Sequence, residues 1–233
     1  MRKLLISTAA LLATLGLNAQ EPASSYTITT DFTYVSEYIF RGVKQQDSAF
    51  QPSIAVTAGS FAGGLWTSQA LEKRSASWAQ GNEIDLFGTY SFKLGESYTL
   101  AIGGTYYLYP SARASLGELD ETLESSVGIS GPLGPLTGYG TYFHDFDLDS
   151  DTFEFGLGYS GTFSDKSGYE LGGSYGLASF DAGGDYDYYS FKAVVTYKLT
   201  PSATLKVGAY WADTDISGLD SNTWISVGVT TGL

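Results

Sequence analysis

In Asp187-Tyr188-Tyr189-Ser190-Phe191-Lys192-Ala193-Val194-Val195-Thr196-Tyr197-Lys198-Leu199, the odd positions from Tyr189 onward are all apolar or aromatic. The even positions carry Tyr188, Ser190, Lys192, Val194, Thr196 and Lys198. Side chains on a strand alternate faces, so this segment has one continuous greasy face and one face of lysines and hydroxyls. A soluble sandwich uses such a strand once or twice. About a dozen of them with no helical segment between need two solvents, and a closed transmembrane β-barrel supplies lipid outside and a polar lumen inside.

The same alternation recurs along the chain. It predicts strands at Tyr26–Val35, Phe50–Ser60, Leu65–Ala70, Glu83–Lys93, Ser97–Tyr109 and Glu121–Ser130. Leu136–Phe146, Asp151–Phe163, Tyr169–Phe180, the opening segment, Thr204–Ala212 and Thr223–Gly232 complete about twelve. Phe61-Ala62-Gly63, Leu94-Gly95-Glu96 and Ser164–Gly168 read as short turns, as does Thr200-Pro201-Ser202. Gly131-Pro132-Leu133-Gly134-Pro135 reads as a turn outside any ladder. Polar loops at Lys44–Ser48, Glu72–Gly81, Pro110–Asp120 and Asp213–Asp220 alternate with these turns. The expected fold is therefore all-β, an antiparallel transmembrane barrel with short periplasmic turns and longer extracellular loops.

Composition agrees. The 233 residues include 29 glycines, 18 tyrosines and 13 phenylalanines. Mean hydropathy lies near zero, which excludes a helical membrane protein, because barrels hide their apolar residues in alternation. A net charge of −13 excludes a nucleic-acid partner. The absence of cysteine removes disulfides, thiolate catalysis and Cys-ligated zinc, and no cofactor is implied. Met1–Ala19 has a basic start at Arg2-Lys3, a short apolar middle and a small residue at Ala19; it reads as a cleaved signal peptide, with residues 20–233 as the barrel domain. Export of a barrel implies the bacterial outer membrane, with outer-membrane lipid and lipopolysaccharide around it. Periplasmic chaperones and the barrel-assembly machinery are its partners during biogenesis.

A soluble barrel is the competing reading, with Phe153, Phe155, Phe191, Tyr197 and Ile84 as core. A barrel of twelve strands encloses a hole too wide for those side chains to fill, which favours the membrane.

Ser36-Glu37-Tyr38-Ile39-Phe40-Arg41-Gly42-Val43-Lys44-Gln45-Gln46-Asp47 resembles the YVFRGxSQ signature of the TorF family of porins. Gly64-Leu65-Trp66-Thr67-Ser68, Glu83-Ile84-Asp85-Leu86-Phe87 and Tyr106-Tyr107-Leu108-Tyr109-Pro110 resemble later strands of that family, in the same order. The resemblance covers residues 26–110 and implies an outer-membrane location and a porin architecture. It does not extend to the cargo.

Pore-lining candidates follow from strand phase: Asp31, Glu37, Arg41, Glu83, Asp85, Glu124, Glu154 and Glu170, against Lys93, Lys192, Lys198 and Lys206. Acids on one side and lysines on the other predict a transverse field and a mild cation preference. Arg41 reads either as part of a constriction, paired to a lumenal carboxylate, or as a salt bridge that specifies the fold at the rim. Asp145, Asp147, Asp149 and Asp151 alternate, yet the EF-hand pattern fails at Thr152 and Gly158. A solvated acidic loop is the first reading, with loose divalent binding beside lipopolysaccharide as the weaker one. A lipid-modifying barrel enzyme needs Ser, His and an orienting group together, and only Ser126 with His144 offers a start. The expectation is a passive channel for small hydrophilic solutes or ions and not an enzyme. The alternative is a structural or adhesive barrel plugged by Trp66, Tyr142, Tyr188, Tyr210 and Trp224. Trp66, Trp78, Trp211 and Trp224 otherwise read as interface girdles.

Overall fold

The computed structural model describes residues 26–72, 81–112, 119–181 and 183–232. The leader and Trp78 lie outside the described residues. The strands in order are β1 (Tyr26–Val35), β2 (Tyr38–Phe40), β3 (Val43–Gln46), β4 (Ala49–Ala58), β5 (Phe61–Ala70), β6 (Glu83–Leu94) and β7 (Tyr98–Leu108). They continue as β8 (Glu121–Leu133), β9 (Leu136–Asp145), β10 (Ser150–Thr162), β11 (Ser167–Phe180), β12 (Tyr186–Lys198), β13 (Ala203–Thr214) and β14 (Asn222–Gly232). Twelve of them form one closed antiparallel barrel in sequence order, with β1 paired to both β4 and β14; β2 and β3 form a separate hairpin. No described residue is helical.

The alternation explains the closure. On β12, Phe191 is 60 % exposed on the outside while Tyr188 is fully buried within. On β10 the outward run Phe153, Phe155, Leu157 and Tyr159 faces away from buried Thr152 and Glu154. An apolar outer belt of this kind is stable against acyl chains and unstable against water, which is how the fold separates its two solvents.

Local chemistry moves several expected boundaries. The β4–β5 turn is Gly59-Ser60, with Gly59 in the left-handed region, so Phe61-Ala62-Gly63 belongs to β5. Gly131, Pro132 and Leu133 are in the ladder, paired with Gly138, Thr137 and Leu136, and only Gly134-Pro135 turns. Pro132 is tolerated because its missing N–H would point toward β7, whose pairing with β8 ends at Thr99 and Ser130. Connections at the end opposite these turns are longer, with one exception: Phe146–Asp149 is no longer than the turn at 163–166.

Candidate functional site

The expected polar loop after β1 is a second layer of structure. From Val35 the chain bends through Ser36-Glu37 and forms the β2–β3 hairpin inside the long-loop mouth of the barrel. Its tip is Arg41-Gly42, with φ of 47° and 81°, so both central residues are left-handed, as a tight hairpin turn requires. A Cβ on Gly42 would lie 2.8 Å from Cβ of Tyr188 and 3.1 Å from the carbonyl of Asp213, which is why this position holds glycine.

Arginine is uncommon at positive φ, and its partners compensate for the strain. Nη1 of Arg41 is 2.8 Å from Oε2 of Glu124, and the guanidinium lies 4.8 Å from the Phe40 ring centre and 4.7 Å from that of Phe143. Arg41 is 8 % exposed and Glu124 3 %. Burial by itself lowers the guanidinium pKa, but the charge of Glu124 outweighs it and holds the value above normal, so Arg41 stays charged. Glu124 also accepts a 3.2 Å hydrogen bond from the Tyr107 hydroxyl.

The rest of the hairpin is packed as a core. Tyr38 lies 5.5 Å from Trp66, and both join Val35, Ile39, Ala49, Ala212 and Trp224 in a buried cluster across the bore. Ser68 Oγ donates to Oε1 of Gln46 at 2.9 Å, while Nε2 of Gln51 donates to Ser68 at 3.2 Å. At the outer end Lys44 Nζ reaches Glu37 at 3.0 Å and Asp47 at 2.7 Å. The lumen is therefore filled at the long-loop end.

Beneath the hairpin lies a cavity of about 470 Å³. Its charged lining is Asp31, Glu37, Glu154, Glu170, Lys192 and Lys206. Asp31 accepts from Thr33, and from Thr230 at 2.6 Å. Glu154 accepts from the hydroxyls of Tyr139 and Tyr188, each at 2.9 Å. Lys192 Nζ is 3.8 Å from Glu170. Tyr210 and Trp224 stack at 5.3 Å beside the cavity. Around the wall Glu154 and Glu170 stand on β10 and β11, Lys192 and Lys206 on the adjoining β12 and β13, and Asp31 on β1. Glu83, Asp85 and Glu124 are buried at the hairpin's level and do not line the cavity; Lys198 is exposed at the short-turn end of β12.

Several candidates face the other way. Tyr142, His144 and Asp151 are on the outer face: the Tyr142 hydroxyl and Nδ1 of His144 both meet Oδ1 of Asp151, at 2.5 and 2.9 Å, and Tyr142 packs on Phe153 at 4.9 Å. Tyr142 is thus no lumen filler. Ser126 lines the cavity, so the barrel wall separates it from His144 and no Ser–His pair forms. Asp145 caps its own loop by accepting from the N–H groups of Asp147 and Leu148, and Asp147 accepts from the N–H of Leu123. Among the described residues no three carboxylates or histidines converge as a metal site. Trp66 and Trp224 point inward and are no girdle; Trp211 faces outward against Phe191.

The hairpin, the cluster under it and the two tyrosines on Glu154 had one legible signal. Arg-Gly between Tyr38-Ile39-Phe40 and Val43 is the short turn signal of a tight hairpin.

Fold and site together define a closed antiparallel barrel of twelve strands with an apolar outer face, its bore narrowed by an inward hairpin. Residues 19–226 match the family described as "Bacterial protein of unknown function (Gcw_chp)". The chain belongs to that family. No curated protein matches it in sequence. Among solved structures it is similar to the KdgM porin, at 12 % identity and a TM-score of 0.58 over 88 % of this chain and 98 % of that one. A second KdgM structure, in complex with disordered oligogalacturonate, matches at 13 % with the same TM-score and coverage. An outer membrane channel from Pseudomonas putida F1 matches at 10 % and 0.52, covering 94 % of this chain and 98 % of its own. At these identities the likeness is one of fold.

Proposed function

We propose that the protein is a porin-like channel of the bacterial outer membrane for small hydrophilic solutes or ions, held shut here by the β2–β3 hairpin. The observation that carries this is the cavity under the hairpin, which holds charged side chains inside a barrel whose outer face is apolar. In this reading the long loops face outward among lipopolysaccharide and the apolar belt sits in outer-membrane lipid. The leader exports the chain to periplasmic chaperones and the barrel-assembly machinery. The signature Tyr38–Gln46 that resembles the TorF family is the gate itself.

Charge supports a cation preference. Four carboxylates against two lysines line the cavity, and the long-loop mouth adds Asp47, Glu72, Asp147, Asp149, Asp185 and Asp215. A polyanion such as the oligogalacturonate in the KdgM complex is disfavoured by such a lining. No chemical step is assigned to the lumen, because Ser126 faces His144 across the wall.

The packed hairpin also favours a second reading, a structural barrel with a permanent plug. Planar-bilayer recording separates the two, using the wild-type chain and a variant in which Tyr38–Gln46 is replaced by a short Gly-Ser loop. Conductance or flickering in the wild type, raised in the variant, supports a gated channel. A silent wild type beside a conducting variant supports the permanent plug, and silence in both overturns the channel reading.

A further inference from the structure

At the level of the hairpin, the inner face of β6 carries Glu83 and Asp85, 4 % and 0 % exposed. Two residues apart on one strand, they are neighbours on the same face, and their carboxyl groups hydrogen-bond to each other. Trp66 on β5 and Tyr107 on β7 flank Asp85 in register, and Ser68 stands opposite Glu83. The hairpin is the roof of this pair. Tyr38 packs on Trp66 at 5.5 Å, and its hydroxyl donates to Glu83.

A hydrogen bond between two carboxyl groups needs a proton on one of them, because two carboxylates only accept. Like charges this close, and shielded from water, do not both ionise. Among the described residues, the titratable and charged groups that face the pair are Tyr38 of β2, Tyr107 of β7, Tyr109 just past it and Glu124 of β8. Arg41 at the hairpin tip is committed to Glu124, and Asp145 at the end of β9 acts on Tyr109. The hairpin thus sits on two acids that hold one proton between them.

Lifting the hairpin exposes both acids to water, where carboxyl groups have ordinary values of about 4 and give up that proton at neutral pH. Seating therefore takes up a proton. A step that does so loses up to about tenfold in its equilibrium constant for each pH unit above about 5, so the hairpin is held in acid and loosened as pH rises.

We infer that the β2–β3 hairpin is a pH-sensitive strap, seated through a single proton shared by Glu83 and Asp85 and released as the medium turns alkaline. The consequence for permeation rests on the channel reading, in which the strap is the gate: acid keeps the mouth shut and alkali opens it. Release of the strap does not itself require conduction.

The chain has no cysteine, so a nitroxide on Gln45→Cys reports on the hairpin alone in the mature chain refolded in detergent. Urea is fixed at a concentration where the label shows both immobile and mobile components at pH 5. With the acids intact, the mobile-to-immobile ratio is expected to rise by about tenfold or more between pH 5 and pH 7. Asp85→Asn is expected to abolish the rise, because its amide donates to Glu83 at any pH. The surface variant Asp147→Asn with Asp149→Asn is expected to keep it. A smaller rise with the acids intact, the same rise in Asp85→Asn, or its loss in the surface variant overturns the strap. Should Asp85→Asn fail to refold, Glu83→Gln decides in the same way, its amide donating to Asp85. The label is read in micelles, so the two readings fail separately. A pH-dependent label beside a silent bilayer removes the channel and leaves the strap, whereas conduction with a pH-independent label removes the strap and leaves the channel.

Discussion

Arg41 concentrates the energetics of the mouth in one side chain. It occupies a backbone region that favours glycine, and it is held there by Glu124 and by two aromatic faces. Removing one partner of a buried ion pair strands the other, which costs about 3–5 kcal/mol, whereas replacing both with apolar residues costs far less. Arg41→Met is therefore expected to lower the urea midpoint of the refolded barrel sharply, and Arg41→Met with Glu124→Leu to recover most of the loss. Arg41→Lys is expected to resemble the loss variant, because an ammonium gives up the planar stacking between Phe40 and Phe143. The sequence exposed the pairing of Arg41 with some lumenal carboxylate but not which one. Glu124 lies on β8, and only the barrel's curvature brings it across the bore. Tyr142 was unreadable for a different reason: the two faces of β9 are nearly equal in polarity, Tyr139, Thr141 and Phe143 against Tyr142 and His144, so alternation carries no sign there.

Among the elements, the hairpin was the least legible and the barrel strands the most. A strand of ten or more residues declares its phase many times over, whereas β2 and β3, with 3 and 4 residues, contain too few alternations to show one. Gly42 is the point at which the whole element can be tested. Alanine there is strained at positive φ and meets Tyr188, a penalty of about 1–3 kcal/mol falling on a small element. Gly42→Ala is expected to leave the barrel folded by circular dichroism while making residues 37–47 cleavable by added protease; a resistant hairpin would show that its seat tolerates the shift. Inside the wall, Gly176 plays a related part, for a Cβ there would sit 2.0 Å from Cζ of Tyr188. Gly176→Val is expected to displace that ring from Glu154 and raise hairpin cleavage by a second route. On the outer rim a different element-level pattern recurs. Tyr106 pairs with Glu121, Tyr142 with Asp151 and Tyr175 with Asp187, each acid lying two residues before the one opposite its tyrosine. Phase alone could not distinguish these outer acids from lumenal ones.

For the whole molecule the decisive asymmetry runs along the barrel axis. Carboxylates crowd the long-loop end, while Lys93, Lys166 and Lys198 stand at the short-turn end. A gradient of potassium chloride across a bilayer holding the open, hairpin-replaced barrel is expected to give a reversal potential favouring potassium. That preference is expected to fade as salt approaches about 1 M, where the screening length falls to about 3 Å; a chloride preference at low salt would contradict the charge reading. The mature chain is expected to precipitate from buffer without detergent, because residues such as Phe155, Phe191 and Leu157 would face water. Finally, β1 carries the hairpin and must join β14, the last strand made, before the ring is complete. The hairpin rests on side chains from β8, β9 and β12, so its seat is assembled from parts that arrive late in synthesis. Occlusion of the mouth thus doubles as a certificate of finished assembly: a chain cut short before its final strands has two raw edges and nowhere to dock its own cork.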